Sequence, residues 1–177
     1  MHEITIYTKN ASKEIIGNAV AYDKQDKKIL KDIYKKWVEL NEQIGLLKGR
    51  RILLPGELIE GIVCLQCGMW KVTNGISRRY DLWDPNSTDG KNRICVQATT
   101  SAIFQMFLPD YVIGEVDRIL FVKFYFSTNE TLKYEILDFD IEQVLQIGNS
   151  NYPTRRTVIK YSDLKEISYN NIIIGEL

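Results

Sequence analysis

Residues 118–126 read RILFVKFYF. Aromatic and β-branched side chains follow one another almost without a break, so the run predicts a strand buried on both faces. Such a strand needs a layer of structure on each side, which directs the chain toward a central sheet flanked by helices. From about Tyr22 to Leu47, Ile29, Leu30, Ile33, Trp37, Leu40, Ile44 and Leu47 recur at three- and four-residue intervals with Lys and Asp between them. That is the spacing of an amphipathic helix, with Gly49 as its stop signal. LPGELIEGIVCLQCG predicts a second helix, with Pro55 in its first turn, Gly68 at its end, and Leu58, Ile62 and Leu65 as the buried stripe. HEITIYT alternates as a strand. TNG reads as a turn, ISRRYDLWD as a strand, and PNSTDGKN as a loop of turn formers.

RICVQATTS, from Arg93 to Ser101, alternates apolar Ile94, Val96 and Ala98 with Arg93, Cys95, Gln97 and Thr99. A strand with one face on a core has this pattern. SAIFQMFLPDYVIGEVD fits helix or irregular structure equally well. LKYEILDF predicts a strand, DIEQVLQIGNS a short helix, and TRRTVIKYSDLKEI a strand entering a last helix. The fold class is therefore α+β: an α/β sandwich with a central mixed sheet flanked by helices. The 177 residues suit one domain over 1–177.

Lys+Arg and Asp+Glu are equal at 23 each, so no global basic field exists and a nucleic acid must be held by local patches. No apolar run is long enough to span a membrane, and no secretory signal is visible. Three cysteines, Cys64, Cys67 and Cys95, fit free thiols in a reducing compartment, and the protein is read as cytoplasmic. Cys64 and Cys67 form a CxxC, but only Cys95 and His2 remain as partners for zinc, so the thiols read as small packed side chains. His2 is the sole histidine, which leaves Ser-His and Cys-His catalysis without support. No phosphate-cradling glycine motif occurs.

Carboxylates and polar groups suggest other chemistry. Asp81 ends SRRYD, and Gln97 and Cys95 lie on one face of the next strand. If those strands pair, Asp81 and Gln97 converge. Glu57, Glu60, Gly61 and Cys64 share one helix face that can point to the same place. Such a set can hold a divalent cation for phosphodiester hydrolysis. On periodicity alone, the better reading is Asp81 as a turn residue and Glu60 as a solvated helix residue.

The chain resembles small type II restriction endonucleases of the PD-(D/E)xK nuclease superfamily over about residues 50–165. LPGELIEG resembles the family's acidic helix, with Glu60 in the acidic place. RRYDLWDP resembles the strand that carries the metal-binding Asp, with Asp81 there. RICVQATTS resembles the following strand, VDRILFVKFYF the long central strand, and YPTRRTVIKYSDL the C-terminal strand and helix entry. The resemblance implies a restriction-endonuclease-like fold, cleavage of double-stranded DNA, Mg²⁺ at Asp81 and Glu60, and a homodimer. It also implies catalytic roles for Asp81, Glu60, Gln97 and Cys95.

In the register that keeps Ala98-Thr99 in place, Gln97 stands where the family has Lys, and Cys95 stands where it has a carboxylate or Gln. A shifted register puts Gln97 in the acidic slot and Thr99 in the Lys slot. The function is then either cleavage or DNA binding on the same fold with cleavage impaired. DNA contacts are expected from Arg78, Arg79, Arg93, Arg155 and Arg156, with Lys91, Lys48, Arg50 and Arg51 as further clusters.

Overall fold

The computed structural model describes residues 1–7, 15–50, 52–75, 80–101, 105–126, 131–151, 156–164, 166–167 and 169–177. In chain order its elements are β1 (His2–Tyr7), β2 (Ile15–Ala21), α1 (Asp26–Leu46), α2 (Gly56–Cys67), β3 (Trp70–Gly75), β4 (Leu82–Trp83), β5 (Arg93–Thr99) and β6 (Gln105–Pro109). There follow α3 (Asp110–Ile113), β7 (Arg118–Phe126), β8 (Leu132–Asp140), α4 (Ile141–Ile147), β9 (Asn149–Asn151), β10 (Arg156–Lys160), α5 (Tyr161–Leu164) and β11 (Asn171–Glu176).

Among the described residues, an eight-stranded mixed sheet runs in the order β1-β2-β3-β4-β5-β7-β8-β11. Its pairs are antiparallel except β5 with β7, which are parallel. A smaller sheet, β6-β10-β9, stands apart from it. The sandwich read from the sequence is thus present, with α1 and α2 on one face. α3, α4, α5 and the small sheet lie on the other.

RILFVKFYF explains this layering. Leu120, Val122 and Phe124 of β7 join the core under α1 and α2. Ile119 and Phe121 point the opposite way, into a second core with Leu108, Val112, Ile141, Val144 and Ile159. The strand is apolar from Ile119 to Val122 because both of its faces are covered there. Asp140 caps the start of α4 with a capping box, its side chain on the Gln143 backbone and the Gln143 side chain on the Asp140 backbone.

Several elements differ from the sequence reading for physical reasons. Residues 76–79 of ISRRYDLWD lie outside the described residues; of the rest, Leu82 and Trp83 are strand, and before them the Asp81 side chain, instead of a strand carbonyl, accepts the Val96 N–H at 2.7 Å. TNG falls inside β3, where Thr73 is the extra residue of a β-bulge opposite Asn18 and Ala19 of β2. On α1 the buried positions are Asp26, Leu30, Tyr34 and Asn41, while Ile29, Ile33 and Leu40, and Leu47 just beyond the helix, are exposed. Asn41 is inside because its side chain accepts the Ile52 N–H at 2.7 Å and donates to the Trp37 carbonyl at 2.9 Å. Trp37 stacks on Tyr34 at 5.9 Å, a packing role, and also donates to the Ile52 and Leu53 carbonyls. At the end of α1 the left-handed residue is Lys48, φ 54°, instead of Gly49.

Candidate active site

β5 runs through the middle of the large sheet, and its alternation sorts the site residues by face. Ile94, Val96 and Ala98 pack toward α1 and α2, whereas Cys95 packs into the opposite core. Gln97 shares the face of Cys95 and donates through Nε2 to Cys95 Sγ at 3.4 Å. Asp81 is the residue before β4. Its backbone N–H reaches the Ile94 carbonyl at 2.9 Å, and its carboxylate takes the Val96 N–H. The Cys95 thiol also hydrogen-bonds that carboxylate. Asp81, Cys95 and Gln97 therefore do converge at the start of β4, as their sequence positions predict.

Glu60 reaches the same neighbourhood from the other face. α2 presents it to β3, where its Oε2 bridges Lys71 Nζ at 3.0 Å. Lys71 is beside Asp81 in the ladder, since the neighbouring Val72 N–H donates to the Asp81 carbonyl at 3.0 Å. Thus Glu60 and Gln97 flank Asp81 from opposite sides of the sheet and do not face each other across one cleft. Gly61 has a packing role: a Cβ there would stand 2.8 Å from Leu30 Cδ2, so α1 and α2 approach closely at that point.

Lys71 is the residue that sequence reasoning missed. In MWKVTNG it is a single strand lysine with nothing around it to mark it out. Only the β3–β4 pairing, Lys71 opposite Leu82, and the position of α2 bring it to the two carboxylates.

The electrostatics follow from burial. Burial raises the pKa of Asp81, opposed by the Val96 N–H, the Cys95 thiol and the Lys71 charge. Glu60 is raised by burial too, with Lys71 opposing and the Asp81 charge adding to the rise. Burial pulls Lys71 downward, but its bond to Glu60 outweighs this and its pKa is raised. The Cys95 thiol is pushed up to about 12 by burial and by the Asp81 charge, so it stays protonated. Cys67 is likewise pushed up to about 12, and all three thiols are free. Cys64 and Cys67 are packed, protonated side chains of α2.

The donor set bears on a metal. Among the described residues, no group of three or more His, Cys, Asp or Glu is placed to hold one. Asp81 and Glu60 remain as two hard oxygen donors, which is the number Mg²⁺ ordinarily takes from protein while keeping water and substrate phosphate. The protonated, soft Cys95 does not fit such an ion.

The basic residues are less concentrated than the sequence alone implies. Arg93 is clamped to Asp117 through Nη2 at 2.6 Å and Nε at 3.1 Å, tying β5 to the entry of β7. Lys91 is paired with Asp140. Lys48 and Arg50 are exposed just beyond α1. Arg78, Arg79, Arg155 and Arg51 lie outside the described residues, and Arg156 opens β10.

A family model described as Bsp6I restriction endonuclease matches residues 22–158, from just before α1 into β10. The chain belongs to the Bsp6I restriction endonuclease family. The match takes in α2, the Asp81 corner, β5 and both buried core strands, so it covers every residue of the Asp81 site. Membership makes DNA endonuclease the class of this protein. No match was found among curated proteins or solved structures. No helix among the described residues is long and apolar enough to cross a membrane.

Proposed function

We propose that the protein is a type II restriction endonuclease: a sequence-specific, Mg²⁺-dependent hydrolase of double-stranded DNA that works as a homodimer on a palindromic site. The observation that carries this reading is the proximity of two half-buried carboxylates, Asp81 and Glu60, within the part of the chain that the family model covers. Each is held above its ordinary pKa by burial, and the Asp81 charge raises Glu60 further, a repulsion that a cation would relieve.

In this reading Asp81 and Glu60 are the Mg²⁺ donors. When bound, the ion supplies charge neutralisation at the scissile phosphate and a water acidified for attack. Asp81 is held by the Val96 N–H, which fixes the direction of its carboxylate. Gln97 orients by hydrogen bonding but carries no charge. The Cys95 thiol donates to Asp81 and does not serve as a nucleophile, because it stays protonated. DNA contacts are assigned to the arginines at 78, 79, 155 and 156, with Arg155 and Arg156 as the base readers. Arg156→Ala then relaxes sequence preference, whereas uniform weakening on all sequences would assign it to phosphate.

Incubation of plasmid DNA with Mg²⁺ or Mn²⁺, with an EDTA arm, tests the reading. Discrete fragments that vanish in EDTA are expected. Tight binding without cutting would instead favour a DNA-binding protein with impaired cleavage, the alternative raised by Cys95 and Gln97.

The pH profile carries a further expectation. Asp81 must be ionised to hold a cation, and its pKa lies above the ordinary carboxylate value of 3.8. Cleavage therefore falls as pH drops through that raised value, and the acid limb lies above 3.8. A rate that stays flat down to the ordinary carboxylate range would contradict the assignment.

A further inference from the structure

Gln97 is neutral, yet phosphodiester hydrolysis gathers negative charge that a nearby cation stabilises. We propose that Lys71, held in place by Glu60, is the cation that meets the DNA phosphate at Asp81. The proposal rests on the nuclease reading above and adds to it a residue on the opposite face of the sheet from Gln97.

Three observations support it. Lys71 is next to Asp81 in the backbone ladder, through the 3.0 Å bond from Val72 to Asp81. Its Nζ is anchored by Glu60 at 3.0 Å, and both side chains keep some exposure, 18% and 24%. An ammonium has three donors, so one bond to Glu60 leaves two for phosphate oxygens. Its rivals are tied elsewhere: Arg93 to Asp117, Lys91 to Asp140, and Arg118 to Asp84 and Asp138. Among the described residues, Lys71 is the cation that acts on the Asp81 carboxylate. Glu60 becomes a positioning residue as well as a metal donor, and a cation bound there would compete for it and free Lys71 toward substrate.

The bland alternative is a clamp that holds α2 on β3. Lys71→Gln separates the two, because its amide keeps a hydrogen bond to Glu60 and removes only the charge. Lys71→Arg keeps the charge, and Lys71→Met serves if the Gln variant does not fold. Two readouts are compared with wild type: single-turnover plasmid cleavage with Mg²⁺, and the salt dependence of binding to a short random-sequence duplex without metal.

Lys71→Gln is expected to slow cleavage about 100-fold. It should also lower the slope of log affinity against log salt by about one phosphate contact. Lys71→Arg should recover at least about a tenth of the wild-type rate. An unchanged slope overturns the proposal, whether cleavage is also unchanged or falls together with the melting temperature, the latter being the mark of the clamp. If wild type never cleaves but Lys71→Gln still lowers the slope, the nuclease reading fails and the phosphate contact of Lys71 stands.

Discussion

Asp81→Asn leaves the protein folded and able to bind DNA but removes Mg²⁺-dependent cleavage, with a rate loss of about 1,000-fold or more. The Asn side chain has nearly the same shape and can still accept the Val96 N–H, so the start of β4 survives. What it lacks is the charge that, in the proposed site, would hold the metal. The same change should not lower stability. In the folded protein burial holds the Asp81 pKa above its unfolded value, so the folded state binds the proton more tightly. Stability is therefore highest with Asp81 protonated and falls as pH rises through the window from 3.8 to the raised value. At neutral pH the ionised carboxylate costs stability, a cost tolerated where function needs the charge. Thermal melts of Asp81→Asn and wild type at acid and neutral pH check this. The variant should gain on wild type as pH rises, and a variant that melts lower at neutral pH would contradict it.

Arg118→Met is the largest structural effect we expect, a loss of about 3–5 kcal/mol. Arg118 begins β7 and bridges two carboxylates from different elements, Asp84 after β4 through Nη1 at 2.7 Å and Asp138 of β8 through Nε at 3.1 Å and through Nη2. All three side chains are largely shielded, at 15%, 12% and 11% exposure. Removing the cation leaves two shielded negative charges facing a cleft of about 300 Å³ lined also by Cys67 and Asn86. At about 2–4 °C per kcal/mol for a chain of this size, the melting temperature should drop by about 10 °C. Burial already raises Asp138, with Arg118 opposing. Without Arg118 its pKa rises further, so protonation relieves the defect and the gap from wild type narrows as pH falls. Adding Asp84→Asn and Asp138→Asn to Arg118→Met should recover most of the loss. A single-variant loss under about 1 kcal/mol would place this network among weak surface pairs.

The layered fold was legible because RILFVKFYF and LKYEILDF carry their own signal: a strand apolar on both sides has to be covered twice. α2 and α4 were legible from helical spacing and end residues. The second sheet and β11 were not. RTVIK reads as a strand, but QMFLP, which pairs with it from far along the chain, and the three-residue NSN beside it do not, and NIIIGE gains its identity only from pairing with β8. β-structure of this kind is decided by partners that local sequence does not name. In α1 the apolar spacing was real, but the choice of buried face was made by Asn41 and Trp37, which bind the backbone of residues 52 and 53.

The site divides in the same way. Asp81, Cys95 and Gln97 were legible because a strand pair and its alternation suffice to bring them together. Lys71 was not, because its closeness to Glu60 depends on a helix packing across the sheet. Arg93 read as a DNA contact from its loop position, while in the fold its guanidinium is engaged by Asp117. In the proposal above, the positive charge that Gln97 does not supply is carried by Lys71, on another strand.

The most direct measurement is to sequence the DNA ends produced when purified protein and Mg²⁺ act on genomic DNA, with Asp81→Asn treated in parallel. Ends that all fall at one short palindromic sequence, and are absent with Asp81→Asn, are the predicted result. Ends scattered without a common sequence, or equally abundant with Asp81→Asn, would contradict sequence-specific cleavage at the Asp81 site.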